Sequence, residues 1–102
     1  MPSYEVVERK IDEIEAELKG LGRWGGRPPD SAFENMGPFG MKTMAPEQWI
    51  QWVLIPRVRE IIETKGEFPS TSEVSVWAVR NFDGDEDAGR LCMLLAQLDC
   101  LF

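Results

Sequence analysis

A chain of 102 residues, 43% hydrophobic and 28% charged, can build one modest hydrophobic core and has no room for a second domain or a large enclosed active site. Eighteen acidic against eleven basic side chains leave a net charge of -7, which repels nucleic-acid backbones and anionic membranes, so no direct nucleic-acid or membrane partner is expected. The lack of histidine removes the commonest general base and metal ligand, and two cysteines alone cannot close a tetrahedral zinc site.

The opening MPSYEVVERK lacks the apolar run of a signal peptide, and no stretch approaches the ~20 apolar residues of a membrane span, so a cytoplasmic location is expected. From Tyr4 the apolar residues fall at Tyr4, Val7, Ile11, Ile14, Leu18 and Leu21. Alternating steps of three and four make one helical stripe, with Ser3 as N-cap and Gly20 and Gly22 as the stop. The same heptad leaves a homodimer through this helix open, although it is short for a coiled coil.

Residues 20 to 45 hold six of the nine glycines and three of the seven prolines, together with Trp24, Phe33, Met36, Phe39, Met41 and Met44. No helical or strand period survives there, and a connection longer than ~12 to 15 residues is usually functional or disordered. Its rings and methionines favour order, because a disordered linker has nothing to bury them against. The reading is a long ordered loop fastened to the bundle by apolar anchors.

Thr43 then offers an N-cap for a second helix, with Pro46 in its first turn and Trp49, Ile50, Trp52 and Val53 clustered on one side. Pro56 interrupts this helix, and a kink or a restart is expected there before Lys65 and Gly66 close it. Ser70 and Glu73 read as a capping box for a third helix through Val74, Trp77, Ala78 and Val79, with a strand over EVSVWAV as the alternative. Asp83 with Glu86 caps a last helix whose apolar positions are Ala88, Leu91, Leu94, Leu95, Leu98 and Leu101. The fold expected is a single all-α, four-helix-type bundle over residues 1 to 102.

Cys92 and Cys100 lie eight helical residues apart, about 12 Å along the axis, beyond the ~7 Å reach of a disulfide. Both read as reduced packing thiols. The run DGDED from Asp83 suggests a calcium loop, but Ala88 and Leu94 stand where such a loop needs Gly and a bidentate Glu. Neither GLGRWGG nor GPFG follows a strand or precedes the Lys-Ser/Thr of a phosphate loop. No metal, cofactor or catalytic residue is assigned.

Charge is distributed unevenly. Residues 1 to 18 sum to -4, residues 19 to 59 to +3 and residues 60 to 102 to -6. Lys19, Arg23, Arg27, Lys42, Arg57 and Arg59 make up the positive stretch, which either attracts an anionic group or balances neighbouring carboxylates. The candidate binding constellation is Trp24, Phe33, Phe39, Met41, Lys42, Met44, Trp49, Trp52 and Arg57. Trp, Met and Arg are enriched at binding hot spots, and inner rings can act as anchors for an exposed rim.

The stretch PFGMKTMAPEQWIQWVLIPRV, Pro38 to Val58, closely resembles the central signature of the YqcC-like bacterial family, and the order of the flanking helices is similar too. The resemblance implies a small helical bundle without an established activity, often encoded beside tRNA pseudouridine synthase C. Some members carry that enzyme's name, but such a synthase needs a catalytic Asp in a much larger α+β domain. The function expected is therefore a non-catalytic accessory module that docks a protein partner such as this RNA-modifying enzyme. The alternatives are a small-ligand binder using the same rings, with Arg57 or Lys42 pairing an anion, and a homodimeric structural protein joined through the first or the last helix.

Overall fold

The computed structural model describes residues 3–25, 29–34, 44–68 and 73–102, and all of its regular structure is helical. Helix α1 spans Tyr4–Gly20 and buries Val7, Ile11, Ile14 and Leu18 along the expected stripe. Ser3 stands at its N-cap, but its side chain makes no capping hydrogen bond. At the other end Gly20 is still helical and Gly22 makes the turn, with φ of 72°. The amides of Gly22 and Arg23 donate back to the carbonyls of Lys19 and Leu18 at 3.1 and 2.9 Å, the paired closure that a left-handed residue after the helix permits.

The loop after α1 contains a short 3-10 helix, Asp30–Phe33, that the sequence pattern did not reveal. Ala32 is buried in it, and Trp24, Phe33 and Met44 pack partly buried against the core. The N-cap expected at Thr43 is displaced. Helix α2, Pro46–Trp49, is capped at Ala45, whose amide donates to the Gln48 side-chain oxygen at 2.9 Å.

The expected break at Pro56 takes another form. Helix α2 runs through a π-helical turn, Ile50–Leu54, into helix α3, Ile55–Thr64. The Ile55 amide donates to the Ile50 carbonyl, so one extra residue is accommodated just before the proline. The buried pairs Ile50 with Ile55 and Val53 with Val58 are each five residues apart, one π step. Helix α3 closes on Lys65 at φ 55°, and the Gly66 amide donates to the Ile61 carbonyl at 2.8 Å.

Residues 74 to 81 are helix rather than strand. Helix α4, Val74–Asn81, starts at Glu73, so Glu73 is the cap position and not the third helical residue that a box with Ser70 requires; Ser70 itself lies outside the described residues. The carboxylate of Asp99, at the far end of the chain, accepts from the Val74 and Ser75 amides at 3.2 and 2.8 Å. Val79, expected inside, is 58% exposed. A 3-10 turn, Glu86–Ala88, leads into helix α5, Gly89–Asp99. Asp85 rather than Asp83 caps that turn, accepting from the Asp87 amide at 3.2 Å.

Helix α5 packs against both α1 and α4, and α1 packs in turn on α3. Leu91, Leu94, Leu95 and Leu98 of α5 meet the α1 stripe, Trp49 and Trp77 in one continuous core. A smaller aromatic group closes one end. Phe68 lies 5.3 Å from both Tyr4 and Phe102, and the Tyr4 hydroxyl donates to the Gly66 carbonyl at 2.7 Å. Among the described residues no helix is long and apolar enough to cross a membrane.

Candidate functional site

The rings singled out in the sequence divide by depth. Trp49 is 7% exposed and belongs to the core, edge-on to Trp77 with ring centroids 5.0 Å apart. It is an anchor and is not presented to solvent, because its place in α2 points it at α4. Trp24, Phe33 and Met44 are half-buried and rest on that core. Trp52 is half-buried as well, and its indole N–H has no acceptor among the described residues. Arg57 is exposed and without an ion-pair partner among the described residues. Phe39, Met41 and Lys42 lie outside the described residues.

Gln51 was not singled out, yet it holds this region together. It occupies the π-turn, is 7% exposed, and reaches the backbone of the loop after α1. Its side-chain nitrogen donates to the Gly25 carbonyl and its oxygen accepts from the Gly25 amide, each at 3.0 Å. A buried amide costs free energy unless its donor and acceptor are both used, and here a single residue supplies both partners. Its position as the one polar residue in the run WIQWVL was the available signal.

Half of the positive stretch is neutralised in place. Lys19 pairs with Glu15 at 3.2 Å and stands over the Trp24 ring at 5.1 Å. Arg23 pairs with Asp85 at 2.6 Å and lies 5.9 Å from the Phe82 ring. Arg59 bridges Asp12 and Glu15 at 3.2 and 3.1 Å. Of the six cations in that stretch, these three balance neighbouring carboxylates. The Arg23 pair also ties the loop after α1 to the turn before α5.

Between Trp24 and the first turn of α2 is a groove of about 370 Å³, whose walls include Gly25, Glu47, Gln48 and Gln51. A second cleft of about 330 Å³ lies between α1 and α3, beside Glu8, Arg59, Ile62 and Glu63. Both cysteines are free thiols. Burial, and secondarily the Asp85 carboxylate, push the Cys92 thiol above its ordinary range, which opposes thiolate chemistry.

These features define a small all-α bundle in which Trp24, Phe33 and Met44 of the interhelical connection pack against the core. The chain belongs to the DUF446 family, whose profile, described as tRNA pseudouridine synthase C, matches residues 6–101. It is 31% identical over 104 residues to the uncharacterized protein YqcC of Escherichia coli K12, covering all of this chain and 95% of that one. A solution NMR structure of E. coli YqcC superposes with a TM-score of 0.86 at 29% identity, over 99% of this chain and 88% of that chain. A third similarity is partial: 64 residues, 62% of this chain, are 34% identical to a segment making up 17% of the tRNA pseudouridine synthase C of Pectobacterium carotovorum. A match to so small a part of that enzyme leaves its catalytic name without support here.

Proposed function

We propose that the chain is a non-catalytic accessory module that docks a protein partner, a tRNA pseudouridine synthase C, through the face where the loop after α1 meets α2. Trp24, Phe33 and Met44 shape this face from below, Trp49 supports it from the core, and Trp52 and Arg57 continue it along the helix. Phe39, Met41 and Lys42 belong to the same proposal from the intervening segment. The observation that carries the reading is the recurrence of a similar segment as 17% of a chain named for that enzyme. A segment fused to a larger protein acts at an effective concentration of the order of mM, whereas one on a separate chain needs an interface of its own to do the same work. The net charge of -7 favours encounter with a basic, RNA-handling surface and keeps the module off the RNA.

The test is titration calorimetry of the purified chain against a tRNA pseudouridine synthase C that lacks such a segment. A 1:1 complex with a dissociation constant of about 10 µM or tighter is expected, weakening as salt is raised. Absence of a complex in sedimentation runs at several times that concentration would exclude the reading.

A further inference from the structure

Several polar groups in the walls of the groove beside Trp24 are already engaged. Arg23 in its wall is paired with Asp85, and Lys19, over the Trp24 ring, is paired with Glu15. Gln51 spends both polar atoms on Gly25, and the Gln48 oxygen is taken by the Ala45 amide. Of the two charged side chains among the groove's described lining residues, that leaves Glu47, which has no ion pair among the described residues. A carboxylate in the first turn of a helix is favoured by the dipole wherever it faces. The dipole does not account for its standing in the wall of a cavity of about 370 Å³, which lies at the small end of the ~300–1,000 Å³ that hold ligands.

We infer that this groove receives a single arginine side chain of the protein partner, its guanidinium paired with Glu47 and its plane laid against Trp24. The inference rests on the docking reading above and specifies the contact at its centre. A helix is ~10–12 Å across with its side chains and is too wide for such a cavity, so one side chain is the fitting unit. The sign of the unpaired charge calls for a cation. Among cations, guanidinium matches a carboxylate with a two-pronged hydrogen bond and stacks on an indole, neither of which ammonium does as well. Lys19 already shows that the Trp24 ring accepts a cation, at 5.1 Å.

Two titrations test this, each on wild type, Glu47→Gln and Glu47→Lys. Glu47 is only partly buried, so circular dichroism should show all three folded. Against the synthase, Glu47→Gln should weaken binding and Glu47→Lys should weaken it by about tenfold or more; Glu47→Lys within about twofold of wild type would overturn the arginine contact while leaving docking in place. If the wild type itself fails to bind, the docking reading falls, and the second titration decides the groove alone. There the probe is N-acetyl-arginine amide, with N-acetyl-norleucine amide as control, followed by NMR. Saturable shifts of the Gly25 amide and the Trp24 indole N–H with arginine only, lost in Glu47→Lys, would support the groove's assignment, and their absence would overturn it.

Discussion

Gln51 and Gly25 exchange two hydrogen bonds of 3.0 Å, side-chain amide against backbone, as neighbouring strands of a sheet would. The pair couples helix to loop across 26 positions of sequence. Gln51→Leu removes both bonds, and because Gly25 is exposed water recovers part of the loss. The expected cost is about 1–2 kcal/mol, read as a lower urea midpoint. Gln51→Glu should do no better, since a carboxylate cannot donate to the Gly25 carbonyl and adds a buried charge. Faster exchange of the Gly25 amide in Gln51→Leu, which alone of the two loses the acceptor, checks the assignment; unchanged exchange would contradict it.

Asp99 caps a helix other than its own. Its two oxygens accept from the first two amides of α4, groups with no intrahelical partner. Asp99→Ala should cost about 1–2 kcal/mol, and Asp99→Asn less, because one acceptor remains. Hydrogen exchange should localise the loss to Val74–Asn81, whereas a uniform loss across the bundle would argue against capping.

Lys65 adopts left-handed φ and ψ of 55° and 40° where α3 ends. A side chain there costs roughly 1 kcal/mol that glycine does not incur. Lys65→Gly should therefore raise stability slightly, by a few tenths to about 1 kcal/mol after the added freedom of the unfolded chain is counted. A fall in melting temperature would show that the Lys65 stem packs more than its geometry suggests.

Burial and the Asp85 carboxylate raise the Cys92 thiol, so folding favours its protonated form. The linked stability is whole below the unfolded-state value and is lost as pH rises through the higher folded-state value. Cys100 is exposed, and iodoacetamide at about pH 8 should modify it well before Cys92, the gap narrowing in more alkaline buffer. Equal rates at that pH would contradict the shielding.

The long-period features of this fold are plain in the residues. Tyr4, Val7, Ile11, Ile14, Leu18 and Leu21 set α1, and the leucines of α5 set its buried face, because a core-facing stripe must repeat at the helical period. Placement of the aromatic anchors was legible only in part. The composition around Trp24 and Phe33 marks them as packed, but whether a ring faces inward depends on the element opposite, and Trp49 meets Trp77 from 28 residues away. The caps of α2 and α4 lie elsewhere than local spacing predicts for a related reason. Local spacing proposes a hydroxyl or carboxylate nearby, whereas the chain uses Gln48 from inside the helix for one and Asp99 from another helix for the other. Cations could be counted but not paired, and Arg59 reaches Asp12 and Glu15 only because α1 and α3 lie side by side.

The widened turn at Ile50–Leu54 fixes the length of its helix to the residue. Each position of an ordinary helix advances about 100° around the axis. Excising one residue from this stretch would allow an unbroken spiral of regular pitch, yet would swing either Trp49 or Val58 out of the interior and carry Gln51 away from Gly25. Sequence drift here can exchange one apolar side chain for another far more readily than it can shorten or lengthen the chain by one.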